Sequence, residues 1–264
     1  MRKPTLIVVG ADKGGVGKTT TSRAMLDYFG SLRVPVRAFD TEHPNGALKR
    51  FYPEATSIVD MNAIKDQMNI FDALSENYVT MIDVRAGLLS RSLAALKNIG
   101  LFDAIVRGQV SFALFHVVGP SVSSIDEIPQ ITPYLESSEY FLVRNYINET
   151  EFVNWNGQAQ HVAANGIHTN EITIPKLNEL AYEQVEKASI PFTTFIANRD
   201  TEGNSAKYSF VLRGYVRHWL KAVWTEFDRS GLQDFVNPVD RRVVQTNRSD
   251  LDRRERERTA AAVL

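Results

Sequence analysis

Short apolar runs alternate with longer amphipathic stretches along most of this 264-residue chain. Runs rich in β-branched and aromatic residues predict strands at Thr5–Val9, Val36–Phe39, Val79–Ile82, Phe112–Val118, Tyr140–Asn145 and Phe192–Ile196. Apolar residues at helical spacing predict helices at Thr19–Phe29, Met61–Ser75, Leu88–Ile99, Ile125–Glu136, Lys176–Ala188 and Phe210–Phe227. This alternation predicts an α/β fold, with a doubly wound, mostly parallel sheet and helices on both faces.

The first predicted strand leads into the octapeptide Lys13-Gly14-Gly15-Val16-Gly17-Lys18-Thr19-Thr20, and a predicted helix follows. Glycines let backbone N–H groups point at an anion without a Cβ in the way. Lys18 supplies a positive charge for the β- and γ-phosphates of a nucleotide, and the hydroxyl of Thr19 can bind Mg²⁺. The octapeptide therefore predicts a nucleotide-phosphate site of the P-loop NTPase type.

The octapeptide departs from the standard P-loop pattern in two ways: Asp12 stands where a glycine is usual, and Lys13 adds a second lysine. In this form it resembles the deviant Walker A motif of the ParA/MinD family of P-loop ATPases, and most closely that of ParA-like partition proteins. In that family the first lysine reaches across a dimer interface to the nucleotide of the partner subunit. The resemblance implies that Lys13 is an intersubunit lysine, that Lys18 acts within its own subunit, and that ATP and Mg²⁺ are the ligands.

A second motif lies at the end of the second predicted strand, where Asp40 is followed by Thr41-Glu42-His43-Pro44-Asn45-Gly46. This segment resembles the family's second signature, with Glu42 in place of a second aspartate. The resemblance implies that Asp40 orients the attacking water and helps to hold the Mg²⁺ shell. The other interpretation is an aspartate at a strand end that caps a turn.

The third predicted strand also ends in an acid, Asp83, and resembles a Walker B strand whose aspartate binds Mg²⁺ through water. The family usually continues with a small residue and prolines, whereas this chain continues with Val84-Arg85-Ala86-Gly87. Arg85 is unexpected there, and it either pairs with a nearby carboxylate or touches a phosphate. The changed segment also leaves open a nucleotide-binding regulator that has lost catalysis.

Farther along the chain, the resemblance is one of topology. The predicted strand Tyr140–Asn145 ends in the residue type that relatives use to read the nucleotide base, so Asn145 is the candidate, with Asn148 as the neighbour that could replace it. The polar stretch Asn148–Asn170 is interpreted as an excursion from the core. Phe192–Ile196 is expected as a final strand near the base.

The predicted helix Phe210–Phe227 carries Arg213, Arg217 and Lys221 four residues apart. One interpretation is a helix that packs on the core and turns a solvated basic face to water. The family resemblance favours the other, a ridge that binds DNA phosphates without sequence preference. The tail from about residue 241 is rich in charge and lacks the bulky apolar residues of a membrane-targeting helix, so membrane docking is not expected.

Composition narrows the picture further. The formal net charge of −1 demands neither nucleic acid nor membrane, and the absence of cysteine excludes disulfides and thiolate metal sites. With no signal-peptide pattern and no apolar run of transmembrane length, we expect one domain over residues 1–264 in the cytoplasm, associated with the nucleoid if it binds DNA.

The leading functional hypothesis is a ParA-like ATPase that forms a homodimer with ATP, is stimulated by a ParB-like activator, and partitions or positions DNA or another cargo. A MinD-like cell-division positioning ATPase is one alternative. An ATP-dependent metabolic ligase with a related loop is another, and it would require a small-molecule acceptor.

Overall fold

The structure is a computed structural model that describes residues 3–75, 77–136, 138–147, 152 and 168–236. The sequence predictions for Asn148, for most of the polar excursion and for the charged tail fall outside these residues. Within the described part of the chain, no helix is long and apolar enough to cross a bilayer.

Within the described residues, seven strands form one parallel sheet in the order β3-β2-β4-β1-β5-β6-β7. They are β1 (Thr5–Gly10), β2 (Val36–Asp40), β3 (Thr56–Ile58), β4 (Val79–Asp83), β5 (Ser111–Val118), β6 (Glu139–Asn145) and β7 (Thr169–Ile174). Because all neighbours are parallel, the carboxyl ends of the strands lie at one edge of the sheet, where ligands bind in such folds. The predicted fold class is confirmed.

Helices cover both faces of this sheet. The long helix α1 (Lys18–Ser31) is followed by α2 (Ile64–Phe71), α3 (Leu89–Asn98), α4 (Leu101–Val106), α5 (Val122–Ile125), α6 (Ile128–Ile131) and a 3₁₀ turn at Thr132–Tyr134. The C-terminal part adds α7 (Glu179–Ala188), α8 (Phe192–Ile196), α9 (Phe210–Arg229) and α10 (Leu232–Val236).

Alternate residues of the central strand β1 are buried in two separate hydrophobic cores. Ile7 and Val9 pack in one core with α1 and with helices α7 to α10, whereas Leu6 and Val8 pack in the other with α3 and α6. Each face of β1 is thus apolar, as expected for a strand that is covered on both sides. This packing fixes β1 and α1, and with them the loop that joins them.

The predicted strand at Phe192–Ile196 is wrong, because this segment is the helix α8. Its buried side chains, Phe192 and Phe195, are three residues apart and so lie on one helical face. Asp27 of α1 accepts hydrogen bonds from the backbone N–H (3.2 Å) and hydroxyl (2.6 Å) of Thr193, which satisfies a donor of the first turn.

The edge of the sheet is instead formed by β7, whose first residues lie inside the stretch that was interpreted as an excursion. Only Ile172 and Ile174 of this strand are buried. An edge strand with two buried positions carries a weak apolar signal, which explains why the sequence pattern missed it. Proline caused the other main difference: Pro129 and Pro133 divide the predicted helix Ile125–Glu136 into short turns.

Candidate nucleotide-binding site

The loop between β1 and α1 includes two glycines in the left-handed region of backbone conformation. Gly15 and Gly17 have positive φ angles of 75° and 89°, and a Cβ on Gly17 would lie 2.0 Å from Nδ2 of Asn145. No side chain caps the N-terminus of the 14-residue helix α1. Its first N–H groups therefore remain available to an anion, which the helix dipole also favours.

Lys18 lies buried at the start of α1, with Nζ donating a hydrogen bond of 3.1 Å to the backbone carbonyl of Lys13. Burial lowers the pKa of Lys18 below its usual value, and the charges of Asp83 and Glu127 oppose that shift. The loop thus holds a desolvated ammonium group at its centre, where a phosphate would gain most from it.

Thr19 and Asp83 are in contact beneath the loop. The Thr19 hydroxyl donates to Oδ2 of Asp83 at 2.9 Å, and the Ser22 hydroxyl donates to Oδ1 at 2.9 Å. Burial, with the charge of Asp40 as the next cause, raises the pKa of the Asp83 carboxyl to about 7. A buried carboxylate beside a hydroxyl and a second acid suits a divalent cation, which would remove the unfavourable charge.

Thr19 and Asp83 would therefore hold Mg²⁺, whose chemistry is to neutralise charge on the phosphates. Within the described residues, no group of three or more histidine, aspartate or glutamate side chains could hold a metal ion alone. The remaining ligands would come from nucleotide and water, which is the usual arrangement for Mg²⁺.

Asp40 lies in the same cavity, but its carboxylate already has partners. Oδ1 accepts from the N–H of Glu42 at 2.8 Å, and Oδ2 accepts from the N–H groups of Leu48 at 2.6 Å and Lys49 at 3.1 Å. These hydrogen bonds are the ones expected if Asp40 caps a turn, which is the second interpretation of this residue from the sequence. They fix the carboxylate at the edge of the cavity beside Asp83 without removing it from the candidate site.

Two cavities meet at the glycine-rich loop. A phosphate cavity of about 530 Å³ contains Lys18, Thr19, Asp40, Glu42, Asp83, Val84, Arg85 and Ala86. A base cavity of about 510 Å³ contains Asn145, Tyr146, Ile147, Pro175, Lys176, Leu177, Glu179, Glu183 and Trp219. Both are also lined by Gly15, Gly17, Thr20 and Tyr182. The cleft can therefore take a phosphate chain at one end and a flat ring at the other.

Asn145 lines the base cavity, but its amide group also braces the loop. Nδ2 donates a hydrogen bond of 2.7 Å to the carbonyl of Val16, and the side chain is buried. Glu127 braces the loop from another side, since its Oε2 accepts from the N–H of Asp12 at 2.8 Å. Base reading by Asn145 stays a prediction, and the structure adds a role in holding the loop.

The variant Asn145→Ala should weaken ATP binding about 10-fold, because loss of a buried hydrogen bond worth ~1–2 kcal/mol loosens the loop. Isothermal titration calorimetry with ATP measures this change. Asn170→Ala, at the edge strand β7, is the matched control and should bind ATP like the unaltered protein. An unchanged ATP affinity of Asn145→Ala would contradict the bracing role.

Sequence reasoning missed Tyr182 and Ser22. The Tyr182 side chain lies on α7 and lines both cavities. No local pattern marks it, since α7 reads as an ordinary amphipathic helix. Ser22 could have been found, because it lies one helical turn after Thr19 and so shares its face.

Two further cations near the glycine-rich loop, Lys13 and Arg85, are exposed. Lys13 lies at the rim of the loop, and its ammonium group makes no hydrogen bond or ion pair with the described residues. Arg85 lies in the wall of the phosphate cavity, and in the described part of the chain its guanidinium is also without a partner. Both are free to meet an anion that arrives from outside the subunit.

The predicted basic ridge on α9 is only partly present. Arg217 and Lys221 are exposed, but Arg213 points toward α8. Its Nη1 donates a hydrogen bond of 3.2 Å to the carbonyl of Ile196. A cation at the C-terminus of a helix is favoured by the helix dipole, so Arg213 has a structural partner that sequence spacing does not reveal. The candidate DNA-binding surface is reduced to Arg217 and Lys221.

No protein-family model and no curated protein matches this sequence. Solved structures do match it. They include the MinC:MinD cell division complex of Aquifex aeolicus, at 14% identity and a TM-score of 0.48 over 82% of this chain and 96% of that chain.

Two further matches have 14% identity. A nucleotide-binding protein of Archaeoglobus fulgidus in complex with ADP has a TM-score of 0.45, over 71% of this chain and 86% of that one. The McdA–ATP complex of Cyanothece has a TM-score of 0.39, over 84% and 96%. At these identities and TM-scores, the function has to be argued from the site itself.

Proposed function

We propose that this chain is a ParA/MinD-type ATPase, a switch that binds ATP, dimerises with it and is reset by hydrolysis. The observation that carries the proposal is the contact of the Thr19 hydroxyl with the buried Asp83 carboxylate, 2.9 Å apart beneath a loop that also holds Lys18. A loop that bound phosphate alone would not need an acid under the helix N-terminus, whereas Mg²⁺-dependent hydrolysis does.

Hydrolysis joins a water oxygen to the γ-phosphorus and breaks the bond to the bridging oxygen, so that ADP and phosphate leave. In the proposed mechanism Lys18 and the N–H groups of the loop hold the β- and γ-phosphates and neutralise their charge. Asp40 orients the water, and its three backbone donors keep the carboxylate in place for that task.

Dimerisation is proposed from Lys13. Its ammonium group is exposed in the glycine-rich loop and has no hydrogen-bonding partner among the described residues. A second subunit that presented its own nucleotide to this face would offer the phosphate oxygens that Lys13 lacks, so bound ATP would hold the two chains together.

Phosphate release tests the proposal. The purified protein should release phosphate from ATP when Mg²⁺ is present, and EDTA should stop the release. A rate no higher than that of buffer, in protein that binds ATP, would contradict the ATPase. Release that requires an added small-molecule acceptor would favour a ligase instead.

The proposed cargo is DNA, with a ParB-like activator that speeds hydrolysis and with nucleoid association as the consequence. The exposed pair Arg217 and Lys221 on α9 supports this, because exposed cations one helical turn apart can follow a phosphate backbone.

The double variant Arg217→Ala/Lys221→Ala should lose most ATP-dependent DNA binding. The plot of the logarithm of the binding constant against the logarithm of the salt concentration has a negative slope, and this slope should become less steep by about 2. Each phosphate contact contributes roughly 0.9 to its steepness. Fluorescence anisotropy with a labelled duplex at several salt concentrations measures both. Lys97→Ala/Arg107→Ala removes the same charge from α3 and the turn after α4 and serves as the control. Equal DNA binding by both double variants would contradict a DNA surface on α9.

A further inference from the structure

Arg85 occupies a position in the phosphate cavity that the proposed mechanism does not use. It follows the strand-end acid Asp83 by two residues, and it lines the same cavity as Lys18, Thr19 and Asp40. The side chain is exposed, and its guanidinium has no hydrogen bond or ion pair with any described residue. Among the described residues nothing pairs with this cation, so it is available to a phosphate that enters the cavity.

Three hydrogen bonds of its backbone anchor the segment around Arg85. The backbone N–H of Arg85 donates a hydrogen bond of 2.7 Å to the hydroxyl of Thr41, a buried residue that follows Asp40. On either side, the N–H of Val84 donates to the carbonyl of Val9 and the N–H of Gly87 donates to the carbonyl of Asp12, both at 2.8 Å. The segment is thereby tied to β1, to the loop and to the end of β2.

These ties continue into the helix that follows. The carboxylate of Asp12 accepts from the N–H of Ser90 at 3.3 Å and from its hydroxyl, and Asp12 immediately precedes Lys13. Arg85 and the glycine-rich loop are therefore held as one unit. A guanidinium on a fixed backbone loses less conformational freedom when it binds a phosphate, which makes the contact stronger.

The charged side chains that line this cavity are of both signs. The cavity contains the carboxyl groups of Asp40, Glu42 and Asp83, against which Lys18 and Arg85 are the two basic side chains in its lining. Glu42 lies in the same wall as Arg85, yet the two form no ion pair. The planar fork of a guanidinium matches two oxygens of one phosphoryl group, which an isolated ammonium cannot do.

We propose that Arg85 binds the terminal phosphate of ATP from within the same subunit. This inference rests on the proposed function, and it deepens it: the site would hold three cations for the phosphates, of which Arg85 senses whether the third phosphate is present. The guanidinium makes no bond to phosphorus and takes no proton. It holds two oxygens of the phosphoryl group while water replaces the bridging oxygen, and it loses its ligand when phosphate leaves.

The test compares Arg85→Ala, Arg85→Lys and the control Arg107→Ala, which removes an exposed arginine from the turn after α4. Calorimetry with Mg²⁺ gives the affinities for a non-hydrolysable ATP analogue and for ADP, and phosphate release gives kcat. Arg85→Ala should bind the analogue about 10-fold more weakly, with the affinity for ADP changed less than about threefold, and kcat should fall about 100-fold. Arg85→Lys should lie between, and Arg107→Ala should match the unaltered protein.

Two results would overturn the inference. One is an unchanged affinity of Arg85→Ala for the analogue, and the other is an equal loss for analogue and ADP, which would indicate a disturbed loop. The affinities also separate this inference from the proposed function. If the unaltered protein releases no phosphate, hydrolysis fails, but a selective loss of analogue binding still establishes the contact of Arg85.

Discussion

Lys13→Ala is expected to abolish ATP-dependent dimerisation and to lower phosphate release at least ~100-fold, as for the loss of a cation that acts across an interface. The affinity of one subunit for ATP should change less than about threefold. The structure gives the reason for this separation. Lys18 contacts the backbone carbonyl of Lys13 at 3.1 Å, and the alanine variant keeps that carbonyl. The exposed Lys13 side chain takes no part in holding the loop.

Sedimentation velocity with and without ATP, together with calorimetry and phosphate release, measures these three properties of Lys13→Ala. Lys65→Ala, an exposed lysine of α2, is the control for loss of one positive charge. Normal phosphate release by Lys13→Ala would contradict the proposal that Lys13 acts across the dimer interface. A large loss of ATP affinity in the isolated subunit would place Lys13 in its own site instead.

Asp83→Asn is expected to lower Mg²⁺-dependent phosphate release at least ~100-fold while the fold is retained. Asparagine keeps the shape of the side chain and can still bond to the hydroxyls of Thr19 and Ser22, but it lacks the charge that a divalent cation requires. Since the buried carboxylate lies beside Asp40 in a fully desolvated position, the free protein should not lose stability by this change.

Without nucleotide, the thermal unfolding midpoint of Asp83→Asn should accordingly equal or exceed that of the unaltered protein. Added Mg²⁺ and ATP should raise the midpoint of the unaltered protein but not that of Asp83→Asn. Asp103→Asn, an exposed acid on α4, is the control and should leave both activity and the response to Mg²⁺ and ATP unchanged. Full activity of Asp83→Asn would contradict the assignment of the metal site.

The sequence predicted those features of the protein that depend on short, local residue patterns. The strand, glycine-rich loop and helix around Lys18 are one continuous segment, and Asp40 and Asp83 each end an apolar run. A parallel sheet then brings such strand ends to one edge, so the position of Asp40 and Asp83 in one cavity follows from the fold class.

The parts that it did not predict depend on contacts between distant segments. Asn145 and Val16 are 129 positions apart, and Asp12 and Glu127 are 115 apart, so no local pattern shows that these residues brace the loop. Arg213 likewise fits a basic ridge by spacing, and only the position of α8 reveals its bond to Ile196. Tertiary packing decides which of several polar roles such a side chain takes.

The most direct test of the account is the mass of the protein in solution with ATP and with ADP. Sedimentation equilibrium of the 29.7 kDa chain should give twice that mass when ATP and Mg²⁺ are saturating, and the mass of one chain with ADP. A single chain in both conditions, with ATP shown by calorimetry to be bound, would contradict an ATP-bridged switch.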